Sequence, residues 1–146
     1  RGNKLCSVPK VFFRYAGGIV MELANGPQGG ALFIGEKGKV TIDRARCTSQ
    51  PEEIAKEPIR SDEIHLAISN DHMRNWLGCI KSRERPVADV EIGHRSATVC
   101  HLGNIARWLG RRLQWDPVRE VFLEDDEANK YLDRVRRKPY ELPETV

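Results

Sequence analysis

The sequence lacks any apolar run close to the roughly 20 residues that a membrane-spanning helix needs. Net charge is also scarce, because 24 basic residues are interleaved with 21 acidic residues and leave only +3. A charge this small does not indicate a polyanionic partner. We therefore expect neither a membrane nor a nucleic acid among the partners of the chain.

Cysteine is sparse and dispersed along the chain. The absence of a C-x-x-C pair argues against a zinc site, and the spacing does not suggest a disulfide framework. We expect no metal site, a reducing compartment and a cytoplasmic location. The four cysteines are Cys6, Cys47, Cys79 and Cys100.

Nucleotide-binding and nucleophile motifs are missing as well. The chain contains no G-x-G-x-x-G, no G-x-S-x-G and no H-E-x-x-H. Residues 30–37, GALFIGEK, resemble a phosphate-binding loop only in outline, because Glu36 stands where that motif has lysine. The sequence therefore predicts no catalytic and no cofactor-binding residues within this chain.

The first third of the chain predicts antiparallel strands. Residues 10–16 and 19–24 flank Gly17-Gly18, a two-residue loop typical of a hairpin, and 31–35 and 39–43 follow after short glycine-containing turns. We expect these four strands to form one antiparallel meander. The polar residues 46–62 predict a surface excursion that contains a single helical turn at EEIAKE.

Two shorter helices are predicted on either side of the longest one. Residues 71–83 place Met73, Trp76, Leu77 and Ile80 on one face, which we expect to pack on the sheet. Asn70 or Asp71 is expected to cap this helix. Residues 123–132 predict a short helix, and the proline-containing tail 133–146 predicts an extended surface strap.

The longest helical pattern covers residues 89–117. Asp89 and Glu91 favour its positive end, Arg111 and Arg112 favour its negative end, and Pro117 is expected to terminate it. With strands before it and helices after it, the chain is expected to be a single α+β domain of 146 residues. The apolar stripe of this helix is predicted at Ile92, Val99, Leu102, Ala106, Leu109 and Leu113, with Ile105 at its margin.

Unusual polar residues accompany that stripe. Arg95 falls on the apolar face and therefore needs a carboxylate partner, for which Glu91, one turn earlier, is the nearest candidate. His94, His101 and Trp108 recur every seven residues and line a second face. This face either packs on the body of the domain or on another subunit, or it carries its histidines into a polar cleft.

Three stretches taken together resemble the C-terminal region of the Gfo/Idh/MocA oxidoreductases. They are GGALFIGEKGKVTIDR, HMRNWLGCIKSRERP, and ADVEIGHRSATVCHLGNIARWLGRRLQWDP with the DDEAN that follows. The likeness covers nearly the whole chain and is strongest to a bacterial branch of dehydrogenases. It implies an α+β domain with a mostly antiparallel, open-faced sheet and helices packed on one face. In the family, such a domain shapes the substrate pocket and forms oligomers.

The same resemblance implies a parent enzyme that binds NAD or NADP in a preceding Rossmann domain and acts on a sugar, cyclitol or related polyol. The glycine fingerprint and the catalytic lysine segment of the family have no match here, so we expect the chain to be inactive alone. The first residue is Arg1 rather than Met, and the chain is therefore expected to be a processed product or a piece of a longer polypeptide.

Residue chemistry selects candidates for contact with substrate in that parent. We expect Glu91, His94, Arg95 and His101 to bind it, since an imidazole and a guanidinium near a helix N-terminus can hold hydroxyls or a carboxylate. The alternative is structural, with Arg95 tied to Glu91. A homo-oligomer through the sheet face is expected. A further alternative is an independent protein-interaction module without an enzymatic role.

Overall fold

The computed structural model describes residues 10–23, 30–43 and 46–141. These residues fall into two compact units, one within Arg1–Glu22 and Gly93–Val146 and the other within Leu23–Ile92. Cys6, the end of the second predicted strand at Ala24 and the last part of the predicted strap, 142–146, lie outside the described residues.

The first element is a hairpin of β1, Val11–Arg14, and β2, Val20–Leu23. Gly17 and Gly18 both have positive φ, 83° and 84°, which is the conformation that a tight hairpin turn requires and that glycine adopts without steric cost. The Tyr15 backbone N–H donates to the Ile19 carbonyl at 2.9 Å and closes the turn. The predicted hairpin is confirmed.

A second, three-stranded antiparallel sheet follows. Its strands are β3, Ala31–Gly35, β4, Gly38–Ile42, and β5, Cys47–Gln50, in that spatial order. Helix α1, Glu53–Lys56, packs against β4 and β5, and it is the single helical turn that the sequence predicts. Close packing is visible at Gly38, where an added Cβ would lie 2.3 Å from the Gln50 carbonyl oxygen.

The predicted four-stranded meander is wrong for the described residues. β1 and β2 form a separate sheet, and β3 and β4 take their third neighbour from a segment that we expected to be an excursion. That segment, β5, reads CTSQ and has no alternation of apolar and polar residues. Its strand conformation is fixed by pairing, from Ile42 opposite Cys47 to Lys39 opposite Gln50, which local sequence does not reveal.

Helix α2, His72–Ser82, is capped as predicted, because the Asp71 side chain accepts a hydrogen bond from the Arg74 backbone N–H at 2.9 Å. Its apolar face is not packed on the sheet. Met73 is 62% exposed and Trp76 is 51% exposed. The prediction that this face packs on the sheet is therefore wrong, because amphipathic spacing cannot say whether a partner lies within the same unit.

Helix α3, Val90–Leu109, begins after Asp89, whose carboxylate accepts a hydrogen bond from the Glu91 N–H at 2.9 Å. It ends at Gly110, which has φ 65° and donates its N–H to the Ala106 carbonyl at 2.9 Å. The prediction that the helix continues to Pro117 is therefore wrong. A glycine reaches the left-handed conformation at low cost, and that conformation closes a helix before a proline is needed.

The remaining elements fold onto α3. They are β6, Trp115–Asp116, β7, Val121–Phe122, and α4, Asp126–Asn129, and the two short strands pair with Trp115 opposite Phe122. From 130 to 141 the chain contains no helix or strand, consistent with the predicted strap.

The core of this unit is small and centred on α3. Ile105, Phe122 and Ala128 are buried. Ile105, predicted at the margin of the stripe, is its centre, whereas Ile92 is 56% exposed, so the buried stripe is rotated from the predicted one. Partly buried side chains surround this core, namely Leu102, Leu109, Leu113 and Trp115.

Helices and antiparallel sheets are thus both present, and the predicted α+β class is confirmed. In the part of the chain described here, no helix combines the length and the apolarity that crossing a bilayer requires.

Candidate functional site

A cluster of three charged or titratable side chains, His94, Arg95 and Glu120, joins α3 to the turn between β6 and β7. His94 Nε2 lies 2.7 Å from Glu120 Oε1. Arg95 Nη1 donates to the same oxygen at 2.9 Å and to the Pro117 carbonyl at 3.0 Å. We call these three side chains the polar cluster. One carboxylate oxygen therefore holds both an imidazole and a guanidinium.

The turn that presents Glu120 is built by Asp116. Its carboxylate accepts hydrogen bonds from the backbone N–H groups of Val118 at 2.9 Å and Arg119 at 3.0 Å, and its carbonyl accepts from Glu120 N–H at 2.9 Å. Aspartate favours such local turns because its short side chain reaches the backbone two and three residues ahead. Glu120 itself has φ 55°, the left-handed region in which a side chain with a Cβ is uncommon.

The electrostatics of the polar cluster favour an ionised Glu120. The hydrogen bond from His94 is the largest cause that lowers the pKa of the Glu120 carboxyl, the charge of Arg95 lowers it further, and partial desolvation opposes them. The pKa of Asp116 is also lowered, chiefly by the backbone hydrogen bonds from Arg119 and Val118. At neutral pH the positive charge of Arg95 is therefore balanced by a carboxylate in direct contact.

The polar cluster is accessible to small molecules. The side chain of His94 is 46% exposed, that of Arg95 is 50% exposed and that of Glu120 is 37% exposed. Half-exposed groups exchange their water for a ligand at a moderate desolvation cost. The arrangement can donate and accept hydrogen bonds at one place on the surface of the unit.

The structure brings together some of the predicted site residues. The prediction that Arg95 has a carboxylate partner is confirmed by Glu120, whereas a pairing with Glu91 stays a prediction. His94 and Arg95 share the polar cluster, and His101 is exposed two turns further along α3. Glu91 is exposed in the first turn of α3. Substrate contact by these four residues stays a prediction.

The second predicted face of α3 also has partners at its two ends. His94 contacts Glu120, and the ring of Trp108 lies 5.7 Å from that of Tyr131, centroid to centroid. Trp108 nevertheless remains 62% exposed. Part of this face therefore packs within its own unit, and its role in substrate binding stays a prediction.

Sequence reasoning missed Glu120. This residue is 26 positions from His94, and no periodicity connects a helix to a turn that folds back on it. A signal was present in Asp116-Pro117, since this pair favours turn initiation and implies that the following residues reverse direction. Which helical residue the returning chain meets depends on the packing of Phe122 against Ile105.

A second ionic group stabilises the same unit without forming part of the site. Arg111 donates to both carboxylate oxygens of Asp125 and to Glu127 at 3.0 Å. Asp125 also caps α4 by accepting from the Ala128 N–H at 3.0 Å. These contacts, led by the Arg111 hydrogen bond, lower the pKa of Asp125 to about 2. Among the described residues, no group of three or more His, Cys, Asp or Glu side chains is arranged to hold a metal ion.

Comparison with protein families shows that residues 3–142 match the C-terminal alpha/beta domain of the Gfo/Idh/MocA oxidoreductase family. The chain belongs to this family. The resemblance inferred from the sequence is thereby confirmed, and the chain is the C-terminal domain of a Gfo/Idh/MocA oxidoreductase. No curated protein matched the chain. No solved structure matched it either.

Proposed function

We propose that this Gfo/Idh/MocA domain provides substrate-binding and assembly surfaces in an NAD(P)-dependent oxidoreductase that acts on a sugar, cyclitol or related polyol. Family membership supports the class of enzyme. The observation that carries the substrate-binding part is the half-exposed polar cluster, in which His94 and Arg95 are held together by Glu120. A site for polyols needs several hydrogen-bonding groups that converge on one place.

The polar cluster suits hydroxyl groups chemically. A hydroxyl both donates and accepts a hydrogen bond, so it can pair with an imidazole nitrogen and with a guanidinium N–H. The contacts with Glu120 restrict the rotamers of His94 and Arg95 before a ligand binds. The loss of side-chain entropy on ligand binding is therefore smaller. Glu91 and His101 belong to the proposal as further contacts on the same helix.

The nucleotide does not fit the residues of this domain. A dinucleotide pyrophosphate needs a glycine-rich turn between a strand and a helix, and the chain has no G-x-G-x-x-G. We therefore place NAD or NADP on another part of the enzyme and derive no catalytic step from the residues described here. The domain alone is proposed to be inactive.

The assembly part of the proposal is supported by the three-stranded sheet. β3 lies at its edge, and Leu32, Phe33 and Ile34 are each more than half exposed. Consecutive strand residues point to opposite faces, so apolar side chains are exposed on both sides of β3. Such a surface is typical of contact with another protein, and we propose a second copy of the chain as the partner. The same surface also favours the alternative of an interaction module.

The substitution His94→Ala in the full-length oxidoreductase tests the substrate-binding proposal. We expect kcat/KM to fall roughly 3- to 10-fold, the effect of losing one neutral hydrogen bond to the substrate. His72→Ala is the matched control, since His72 is an exposed histidine at the start of α2. Unchanged kinetic constants together with a lower melting temperature would show that His94 serves the fold alone. That result would favour the interaction module.

A further inference from the structure

We infer that Glu120 is a specificity-determining and positioning residue that makes the polar cluster select neutral hydroxyl-bearing ligands over carboxylates. The inference rests on the proposed function, because it assigns a ligand class to the same site. The first observation concerns the charges of Arg95 and Glu120. Arg95 would attract an anionic ligand if it were unpaired, but the Glu120 carboxylate is in direct contact with it at 2.9 Å. A carboxylate ligand approaching this place meets a carboxylate already present.

The tautomer of His94 leads to the same conclusion. Glu120 is ionised and can only accept, so the nitrogen that contacts it, Nε2, must carry the proton. In the neutral imidazole the other nitrogen, Nδ1, is then an acceptor. Over the residues that the structure describes, Nδ1 has no protein partner, and the side chain is 46% exposed. A ligand hydroxyl can donate to Nδ1, whereas a carboxylate has no proton to donate.

The backbone at Glu120 supports a role beyond closing the turn. Its φ of 55° is one that glycine or asparagine adopts more readily, and a glutamate there is strained. The turn is already closed by the hydrogen bonds that Asp116 accepts from Val118, Arg119 and Glu120. The glutamate side chain is therefore not required for the turn, and its contacts are with His94 and Arg95. Strained residues whose side chains meet a polar cluster are frequent at functional sites.

The test uses the substitution Glu120→Gln in the full-length oxidoreductase, which removes the charge and keeps the shape. Glu124→Gln is the matched control, because Glu124 is also an exposed glutamate with a left-handed backbone, φ 52°. The probes are D-glucose and D-glucuronate, which differ in a hydroxymethyl or a carboxylate group on the same ring. Binding is followed through the ring signals of isotopically labelled His94.

In the unsubstituted enzyme we expect glucose to bind more tightly than glucuronate. Glu120→Gln is expected to shift the ratio of the two affinities toward glucuronate by about threefold or more, the effect of removing one half-exposed negative charge from the polar cluster. Added salt should reduce that shift, and Glu124→Gln should leave the ratio unchanged. A purely structural role would lower the melting temperature without changing the ratio.

Two outcomes would overturn the inference in distinguishable ways. If both sugars perturb His94 and the ratio is the same in Glu120→Gln, the selectivity assigned to Glu120 is wrong while the proposed site stands. If neither sugar perturbs His94, the polar cluster is not a substrate site, and the proposed function fails together with this inference. In the unsubstituted enzyme, the NMR chemical shifts of the ring nitrogens of neutral His94 show separately which nitrogen carries the proton. We expect the proton on Nε2, and a proton on Nδ1 would contradict the assigned geometry.

Discussion

Replacing Phe122 by alanine tests the packing that brings Glu120 to α3. Phe122 is 2% exposed and lies in β7, two residues after Glu120. Its ring meets that of Trp115 edge to face, with centroids 5.1 Å apart, and it packs in the core beside Ile105 and Ala128. We expect Phe122→Ala to reduce the free energy of unfolding of this unit by about 3–5 kcal/mol, from lost burial and the cavity that remains.

A loss of that size is a large part of the total, since domains of ordinary size are stable by about 5–15 kcal/mol. The Leu123 N–H donates to the Gln114 carbonyl at 2.9 Å and reports directly on this hairpin. We expect its hydrogen exchange to accelerate about 100-fold or more, because each 1.4 kcal/mol corresponds to a factor of about ten. The urea midpoint of the unit should fall by about 1 M or more.

Phe12→Ala is the matched control, because Phe12 is the same residue type, lies in the same unit and is 51% exposed. It should leave both the Leu123 exchange rate and the urea midpoint nearly unchanged. If Phe122→Ala shifts these quantities no more than Phe12→Ala does, the small core around Ile105 does not determine the stability of this unit. The position of Glu120 would then need another explanation.

Two further predictions concern the same unit. The Asn129 side chain accepts a hydrogen bond from the Phe122 N–H at 2.8 Å and donates one to the Phe122 carbonyl at 2.9 Å. Asn129→Asp replaces the donor by a carboxylate oxygen and should therefore lower the free energy of unfolding by about 1–3 kcal/mol in a urea titration. Equal stability of the two chains would contradict this prediction. Asp125 has its pKa lowered to about 2 from an ordinary value of 3.8, so its contribution to stability is fully present above about pH 4 and is lost as the pH falls toward 2. Asp125→Asn keeps a capping side chain but weakens the pairing with Arg111. The melting temperature of this variant should be lower than that of the unsubstituted chain at neutral pH, and the difference should shrink as the pH falls below 4. A difference that does not depend on pH would refute this reasoning.

Local patterns in the sequence were sufficient for many elements of the fold. Gly17-Gly18 predicted the first hairpin, and Asn70 or Asp71 was predicted to cap α2, where Asp71 is the cap, because turn and cap chemistry depends on residues close in sequence. The end of α3 was also readable from Gly110, a residue typical of the position after a helix. The predicted helix is too long because Gly110, rather than Pro117, ends α3.

Pairing between distant segments was not readable in this way. β5 becomes a strand because β4 offers it unpaired backbone groups, although its own residues carry no strand pattern. The buried stripe of α3 is centred on Ile105 rather than on the line from Ile92 to Leu113, because the hairpin and α4 cover one side of the helix. Hydrophobic spacing gives the width of an apolar face and leaves its exact contact line to the neighbouring elements.

The sequence by itself determined the family, the α+β class, most helix starts and the need of Arg95 for a carboxylate. Only the tertiary structure decided that Glu120, 25 residues after Arg95, is a carboxylate partner of Arg95 and that His94 contacts the same carboxylate. The physical reason is the distance along the sequence over which each interaction acts. Capping, turn formation and amphipathic spacing act over a few residues, whereas the position of Glu120 depends on a chain reversal at Asp116 and on the burial of Phe122 against α3.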